Sequence, residues 1–261
     1  MLNRLGSDFE KLKEAVEVAT EEIKKDISTP PPLRLLRDAP QSSLTQAGVV
    51  SWTNIQRTNL GLQPLGQSAK LNEAALLKVR DMFNRQYFDH VSPTGGDISN
   101  LAQAVSYEYL SIGENLALGN YENDQALVQA WMDSPGHRAN ILKASYTEIG
   151  VAVMRGQFEG KTTWLAVQVF AKPLAACPQP DAALKAQIAV LEVRIDDLKR
   201  QAEQLLYEIE NTRPKRGPEY NRKVDEYNAL VEQINALIAE LKGLVAQYNQ
   251  QVHIFNSCAT N

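Results

Sequence analysis

Cysteine is nearly missing from this chain, with two in 261 residues, and histidine is almost as scarce, with three. No run approaches the roughly 18 apolar residues that a bilayer span needs. The opening stretch MLNRLGSDFEKLKEAVEV lacks the apolar centre of a secretory signal. A formal charge of −4 and a sequence pI near 5.5 give no basic footprint of the kind that phosphate neutralisation requires, so nucleic acid is excluded as an expected partner. The short catalytic signatures are absent too: no HExxH, no GxSxG, no CxxC pair and no phosphate-cradling glycine loop.

What is present divides into segments of different grammar. Hydrophobic content of 44% is ample for a packed core. Phe9, Leu12, Val16, Ala19, Ile23 and Ile27 recur at threes and fours, which predicts an amphipathic N-terminal helix over residues 1–29. Three consecutive prolines, Pro30 to Pro32, cannot continue a helix and predict an extended linker over 30–43. A mixed domain is expected over 44–173. It opens with helical segments around LTQAGVVSWTNIQRTNLGL and LNEAALLKVRDMFNRQYF, the latter with Leu71, Ala75, Val79 and Met82 on one face. After the turn-rich DHVSPTGGDISN, at least one more helix is expected within IGENLALGNYENDQALVQAWMDSPGHRANIL. The β-branched runs EIGVAVMRG and TTWLAVQVFAK, joined by QFEGK, predict a hairpin. Helices with an antiparallel sheet make the fold class α+β.

Beyond Pro180, two apolar ladders alternate spacings of four and three: Leu184 to Ile209, and Tyr220 to Phe255. Separated by RPKRGP, they predict an antiparallel coiled-coil hairpin over 178–258, with Asp181 as N-cap and Pro218 as first residue of the second helix. At about 1.5 Å per residue the arms span about 47 and 57 Å. The extended segment Cys177 to Asp181 covers up to about 14 Å, which offsets the difference and brings Cys177 beside Cys258. A disulfide between them implies an oxidising compartment. The expected location is therefore extracytoplasmic, secreted or membrane-tethered, with the leader outside this sequence.

Three polar residues sit in turn-rich settings: His90 in FDHVSPTGG, Glu114 in IGENLALG and His137 in SPGHRANIL. Singly, each is explained by holding a loop carbonyl or by favouring a helix end. Together, in this order, and with NIQRTNLGLQPL and WMDSPGHRANILKASYTEIGVAV, they resemble the bacterial branch of the CAP superfamily, whose SCP domain is shared by cysteine-rich secretory proteins, antigen 5 and pathogenesis-related class 1 proteins. The resemblance covers about residues 44–172. It implies a three-layer α-β-α sandwich and a cleft of two histidines and two acidic residues that can hold a divalent metal such as zinc. Carried over, His90 and His137 are the metal-binding histidines and Glu114 is the first acid. Where the eukaryotic pattern has its second glutamate, three residues after Trp131, this chain has Ser134. Glu148 and Asp133 are the candidates to complete the cleft, Glu148 ahead.

The resemblance implies a cleft more firmly than a reaction, and no catalytic residue is assigned. The reading is an extracytoplasmic protein whose histidine/acid cleft binds a divalent metal weakly, together with a small-molecule or lipid-like ligand. A cell-surface protein that recognises a protein partner through the helical hairpin is one alternative. A metal-assisted hydrolase of peptide or cell-wall material is the other, and Ser92 and Ser134 lie near the histidines in sequence.

Overall fold

The computed structural model describes residues 9–13, 25–35, 38–39 and 41–260. Two compact units emerge: residues 24–176, and residues 1–23 together with 177–261.

The first unit is a three-layer α-β-α sandwich. Its sheet has strand order β1-β4-β6-β5-β3, from β1 (Asp26–Ser28), β4 (Tyr109–Leu118), β6 (Lys161–Pro173), β5 (Glu148–Phe158) and β3 (Gly66–Gln67), with β2 (Leu33–Arg34) also paired to β4. β4, β6 and β5 form an antiparallel centre, whereas β1 and β2 run parallel to β4 along its outer edge. The β5–β6 hairpin closes through Glu159 and Gly160, both at positive φ, as a two-residue turn matching strand twist requires.

One face carries α3 (Ala69–Arg85) and α4 (Ile98–Ala104). Leu71, Ala75, Val79 and Met82, the face expected from spacing, are fully buried there against Ile112 and Leu116 of β4 and Val167 and Val169 of β6. The other face carries α2 (Gln46–Asn59), α5 (Asp124–Asp133) and α6 (Pro135–Leu142), with Trp131 and Ile141 packed on Val151 and Phe170. Gly150 of β5 is required by contact: a Cβ there would overlap the Leu71 backbone carbon, so α3 can seat on the sheet only where that side chain is absent.

Two expectations from the sequence are corrected. Ile27 is not helical but lies in β1, and the proline-rich stretch is not a free linker, because it joins β1 to β2 along the sheet edge. The triple proline forbids helix while tolerating an edge position where no backbone N–H is needed. Of the expected N-terminal helix, residues 9–13 are helical, which we label α1; Val16, Ala19 and Ile23 lie outside the described residues.

The second unit is a helical hairpin, α7 (Ala182–Asn211) and α8 (Pro218–Thr260). The Asp181 side chain accepts from the N–H groups of Ala183 and Leu184 as N-cap. Ile188, Ile195 and Ala202 of α7 and Ile234, Leu241 and Val245 of α8 form its apolar seam. Antiparallel pairing is set by Lys223 against Glu208 near the turn and by the Asp181 N–H donating to Gln251 Oε1 near the open end. Phe9 of α1 is fully buried on this seam beneath the ammonium groups of Lys13 and Lys199, and Lys13 pairs with Asp196 at 2.7 Å. Cys177 and Cys258 form a disulfide, 81 residues apart, that closes the open end.

Closing so long a loop removes about 4 kcal/mol of unfolded-state entropy in the chain-entropy model. Reductant should lower the thermal midpoint followed by far-ultraviolet circular dichroism. Intact mass of never-reduced protein should fall two hydrogens short of the reduced value. Recovery of two alkylatable thiols from folded, never-reduced protein would contradict the bridge.

Candidate functional site

β4 contains Gly113, Glu114 and Asn115 in a strand buried along its whole length. Alternation sends Glu114 to the α3 face, with Ile112 and Leu116, and Asn115 to the α6 face. On the first face, Glu114 is fully buried and its Oε1 lies 2.6 Å from His90 Nδ1. His90 is held from behind: the ammonium of Lys78, itself buried, donates to the His90 carbonyl at 2.6 Å. Burial lowers the Lys78 pKa, and the nearby carboxylates, Glu114 foremost, oppose that shift. The second ring nitrogen of His90, Nε2, lies 2.5 Å from the Pro30 carbonyl oxygen. That oxygen can only accept, so Nε2 carries a hydrogen. One further hydrogen lies between Nδ1 and the Glu114 carboxyl.

On the second face, Ser134 is the N-cap residue of α6 and Pro135 opens the helix, which puts His137 in its first turn. His137 Nδ1 lies 2.8 Å from Ser134 Oγ, while its Nε2 is buried without a partner. Burial, with a smaller contribution from the charge of His90, pushes the His137 pKa down to about 4, so the ring is neutral at ordinary pH. Asn115 Nδ2 donates to the His137 carbonyl and to Gln168 Oε1, and Gln168 donates to Thr53 Oγ1. Asn140 Nδ2 donates to Asn115 Oδ1 and to the Ser28 carbonyl. The far end of α6 is tied by Arg57, whose buried guanidinium donates to the carbonyls of Ile141 and Lys143 at 2.7 and 3.0 Å. Burial pulls the Arg57 pKa below its usual value.

His90, Glu114 and His137 are therefore brought to one sheet edge, but not into open solvent: they are 7, 0 and 1% exposed beneath Pro30. The two expected completing acids are not there. Asp133, at the exposed end of α5, accepts from Gln129 Nε2 at 2.8 Å. Glu148, at the start of β5, accepts from Tyr107 Oη at 2.8 Å. It lines an open cavity of about 1040 Å³ with Lys25, Lys70, Ser99 and Tyr109, and β6 lies between its strand and β4 in the sheet. Within that cavity the acid is satisfied by Tyr107, and Lys70 by the Ser106 carbonyl. Both acids are suggested by nearness in sequence to Trp131 and to the strand run. Neighbours along a chain diverge in space once a helix end or a strand intervenes. Among the described residues, no group of three or more His, Cys, Asp or Glu side chains is placed to hold one metal ion. The contacts that sequence reasoning misses are Pro30, Lys78 and the Asn115–Asn140–Gln168 network. For Pro30 the only signal is the proline run itself.

A histidine buried neutral takes up a proton on unfolding at any pH between its two pKa values. The unfolded chain then binds more protons than the folded one, so stability is unaffected above about 6.5 and declines as pH falls toward 4. The full loss is roughly 3 kcal/mol. Urea unfolding between pH 7 and 4, followed by tryptophan fluorescence, reads this unit, since Trp52, Trp131 and Trp164 all lie in it. His137→Gln should flatten the slope. An unchanged slope would show that His137 does not titrate as its burial demands.

Known proteins share this domain. Residues 50–170 match the model of the cysteine-rich secretory protein family, CAP. The protein YkwD of Bacillus subtilis (strain 168) is 39% identical over 127 residues, 48% of each chain. The membrane protein YlbC of the same organism is 34% identical over 107 residues, 41% of this chain and 31% of that one. The chain thus spans about half or less of the length of these relatives. Among solved structures, an extracellular protein containing a SCP domain from Bacillus anthracis str. Ames aligns at 28% identity and TM-score 0.43, covering 49% of this chain and 40% of that one. An outer surface protein of Borrelia burgdorferi aligns at 20% identity and TM-score 0.40, covering 48% of this chain and 90% of that one. Among the described residues of the present chain, no helix is long and apolar enough to cross a membrane. Residues 50–170 of this chain thus carry a domain that matches the cysteine-rich secretory protein (CAP) family.

Proposed function

We propose that this is an extracytoplasmic CAP-domain binding protein whose edge-of-sheet cleft takes a divalent cation together with a ligand. One observation supports the cation: two buried polar atoms that approach the β4 edge from its two faces, His137 Nε2 and Glu114 Oε2, have no hydrogen-bond partner. Buried polar atoms are rarely left so, and an unmet imidazole nitrogen with an unmet carboxylate oxygen is a donor set that suits zinc. In the tautomer whose Nδ1–H donates to Ser134 Oγ, the neutral His137 ring offers Nε2 as a lone pair. His90 is engaged at both nitrogens, so it joins only when the Pro30 carbonyl gives way. The residues therefore fit a weakly held cation with open positions. When bound, such an ion supplies a Lewis acid and a cationic anchor. The protein's own part is to present two desolvated donors and to shut out water. The export reading rests on the disulfide, since such bridges persist in oxidising compartments.

Isothermal titration of the full chain with zinc chloride at pH 7 should show one weak, saturable event. His137→Ala should abolish it, and Glu114→Gln should weaken it by tenfold or more, about 1.4 kcal/mol. Equal heats for wild type and His137→Ala would remove the cation from this cleft.

A second reading concerns the hairpin. Val190 and Val193 of α7 are 68 and 70% exposed, one turn apart, which favours a partner-binding face on that helix.

A further inference from the structure

The stretch Lys25–Leu35 is held to the domain in the manner of a bound peptide. Only Pro30 in it is buried. Its backbone follows β4: Asp26, Ile27 and Ser28 pair with Ser111, Ile112 and Gly113, Leu33 and Arg34 pair with Ala117 and Leu118, and the Leu35 N–H donates to the Leu118 carbonyl at 2.9 Å. Side chains add to the hold: Asp26 pairs with Lys143, Arg34 with Glu159, and Leu33 and Leu35 pack on the core. Between these two ladders, four residues of the strap, Thr29 to Pro32, pass over three of β4, Glu114 to Leu116. The strap arches away from the ladder just where the site lies. Pro30, Pro31 and Pro32 have no N–H to leave unmet there, and the arch turns the Pro30 carbonyl onto His90 Nε2. Two glycines make room. A Cβ on Gly136 would lie 2.7 Å from Pro30 Cβ, and one on Gly119 would overlap Leu35 Cβ.

We infer that the outer edge of β4, together with His90 and the Gly136 shelf, is a receptor for an extended, proline-bearing peptide strand, and that the chain's own residues 26–35 occupy it in cis. Recognition is by β-augmentation: parallel main-chain hydrogen bonds supply affinity, and a proline whose carbonyl meets His90 supplies register. An attached segment competes at an effective concentration on the order of millimolar, so a free peptide of ordinary affinity enters only when the strap lifts. Lifting it also frees His90 Nε2. The inference deepens the ligand half of the function proposed above and rests on that cleft being a binding site. It does not require the cation.

The test uses the full chain, with EDTA at about millimolar concentration to remove trace metal, and a fluorescein-labelled peptide copying Lys25–Leu35. Fluorescence anisotropy should show little binding to wild type. In Leu33→Asp/Leu35→Asp, which removes the two half-buried side chains packed on the α2–α5 core, saturable binding should appear. Adding Gly136→Ala should abolish it, since the new methyl occupies the place of the proline ring while suiting a helix. Folding of each variant is checked by tryptophan fluorescence. Hydrogen exchange on wild type needs no variant: amides of Ile27, Ser28, Leu33 and Arg34 should exchange about tenfold or more faster than those of β5 and β6. Exchange of the strap only by global unfolding, absence of binding to a folded double variant, or binding insensitive to Gly136→Ala would each overturn the inference. Because the assay is run without metal, its failure is distinct from a failed zinc titration.

Discussion

The hydrogen bond between Glu114 and His90 is the constraint on which the sheet edge depends. A fully buried carboxyl in a strand enclosed on both faces would be several kcal/mol out of balance without a partner. The imidazole answers one oxygen, and the Lys78 ammonium, donating to the His90 carbonyl, fixes the backbone that brings the ring there. Once Nδ1 is committed to Glu114, the opposite nitrogen points outward with a hydrogen that needs an acceptor. Pro30 supplies it. An acid in β4 thus accounts in turn for a histidine beside it, a lysine behind that histidine and a carbonyl in front.

His137 approaches the same edge from the other layer, and its support is of a different kind. No charge compensates it; burial keeps it neutral, and amide side chains from β4, β6 and α6 hold its helix in place. Arg57 ties the last carbonyls of α6, so both ends of that eight-residue helix are anchored. The two histidines therefore differ chemically despite their proximity. One is saturated with hydrogen bonds, the other retains an unpartnered nitrogen. One satisfied and one unpartnered imidazole at a single sheet edge is the arrangement on which the proposed binding site and its strap both rest.

Much of this is readable from spacing alone. The α3 face, the β5–β6 hairpin and the two ladders of the helical hairpin follow repeats of 3.6 or 2, and each is an element with one buried side. The cysteine pairing follows from arm lengths. β4 is not visible as a strand, because burial on both faces erases alternation and because Gly113, Glu114 and Asn115 interrupt the apolar run. The residues that carry the chemistry are the ones that hide the element. The strap is hidden for a related reason: Pro30 to Pro32 read as a linker, since a backbone carbonyl used as an acceptor has no signature in side chains. Glu148 and Asp133 are suggested by sequence neighbourhood, which a helix end and an intervening strand make misleading.

The cleft and its strap both depend on the unequal states of the two rings, and nitrogen-15 NMR of the histidine side chains in the full chain at neutral pH measures those states directly. His90 should show a hydrogen on Nε2 that exchanges slowly with solvent, and His137 should show one protonated and one bare nitrogen. Exchange at His90 should accelerate in Leu33→Asp/Leu35→Asp, which loosens the strap. A bare Nε2 on His90, or two protonated nitrogens on His137, would contradict the arrangement from which the cleft and its strap are derived.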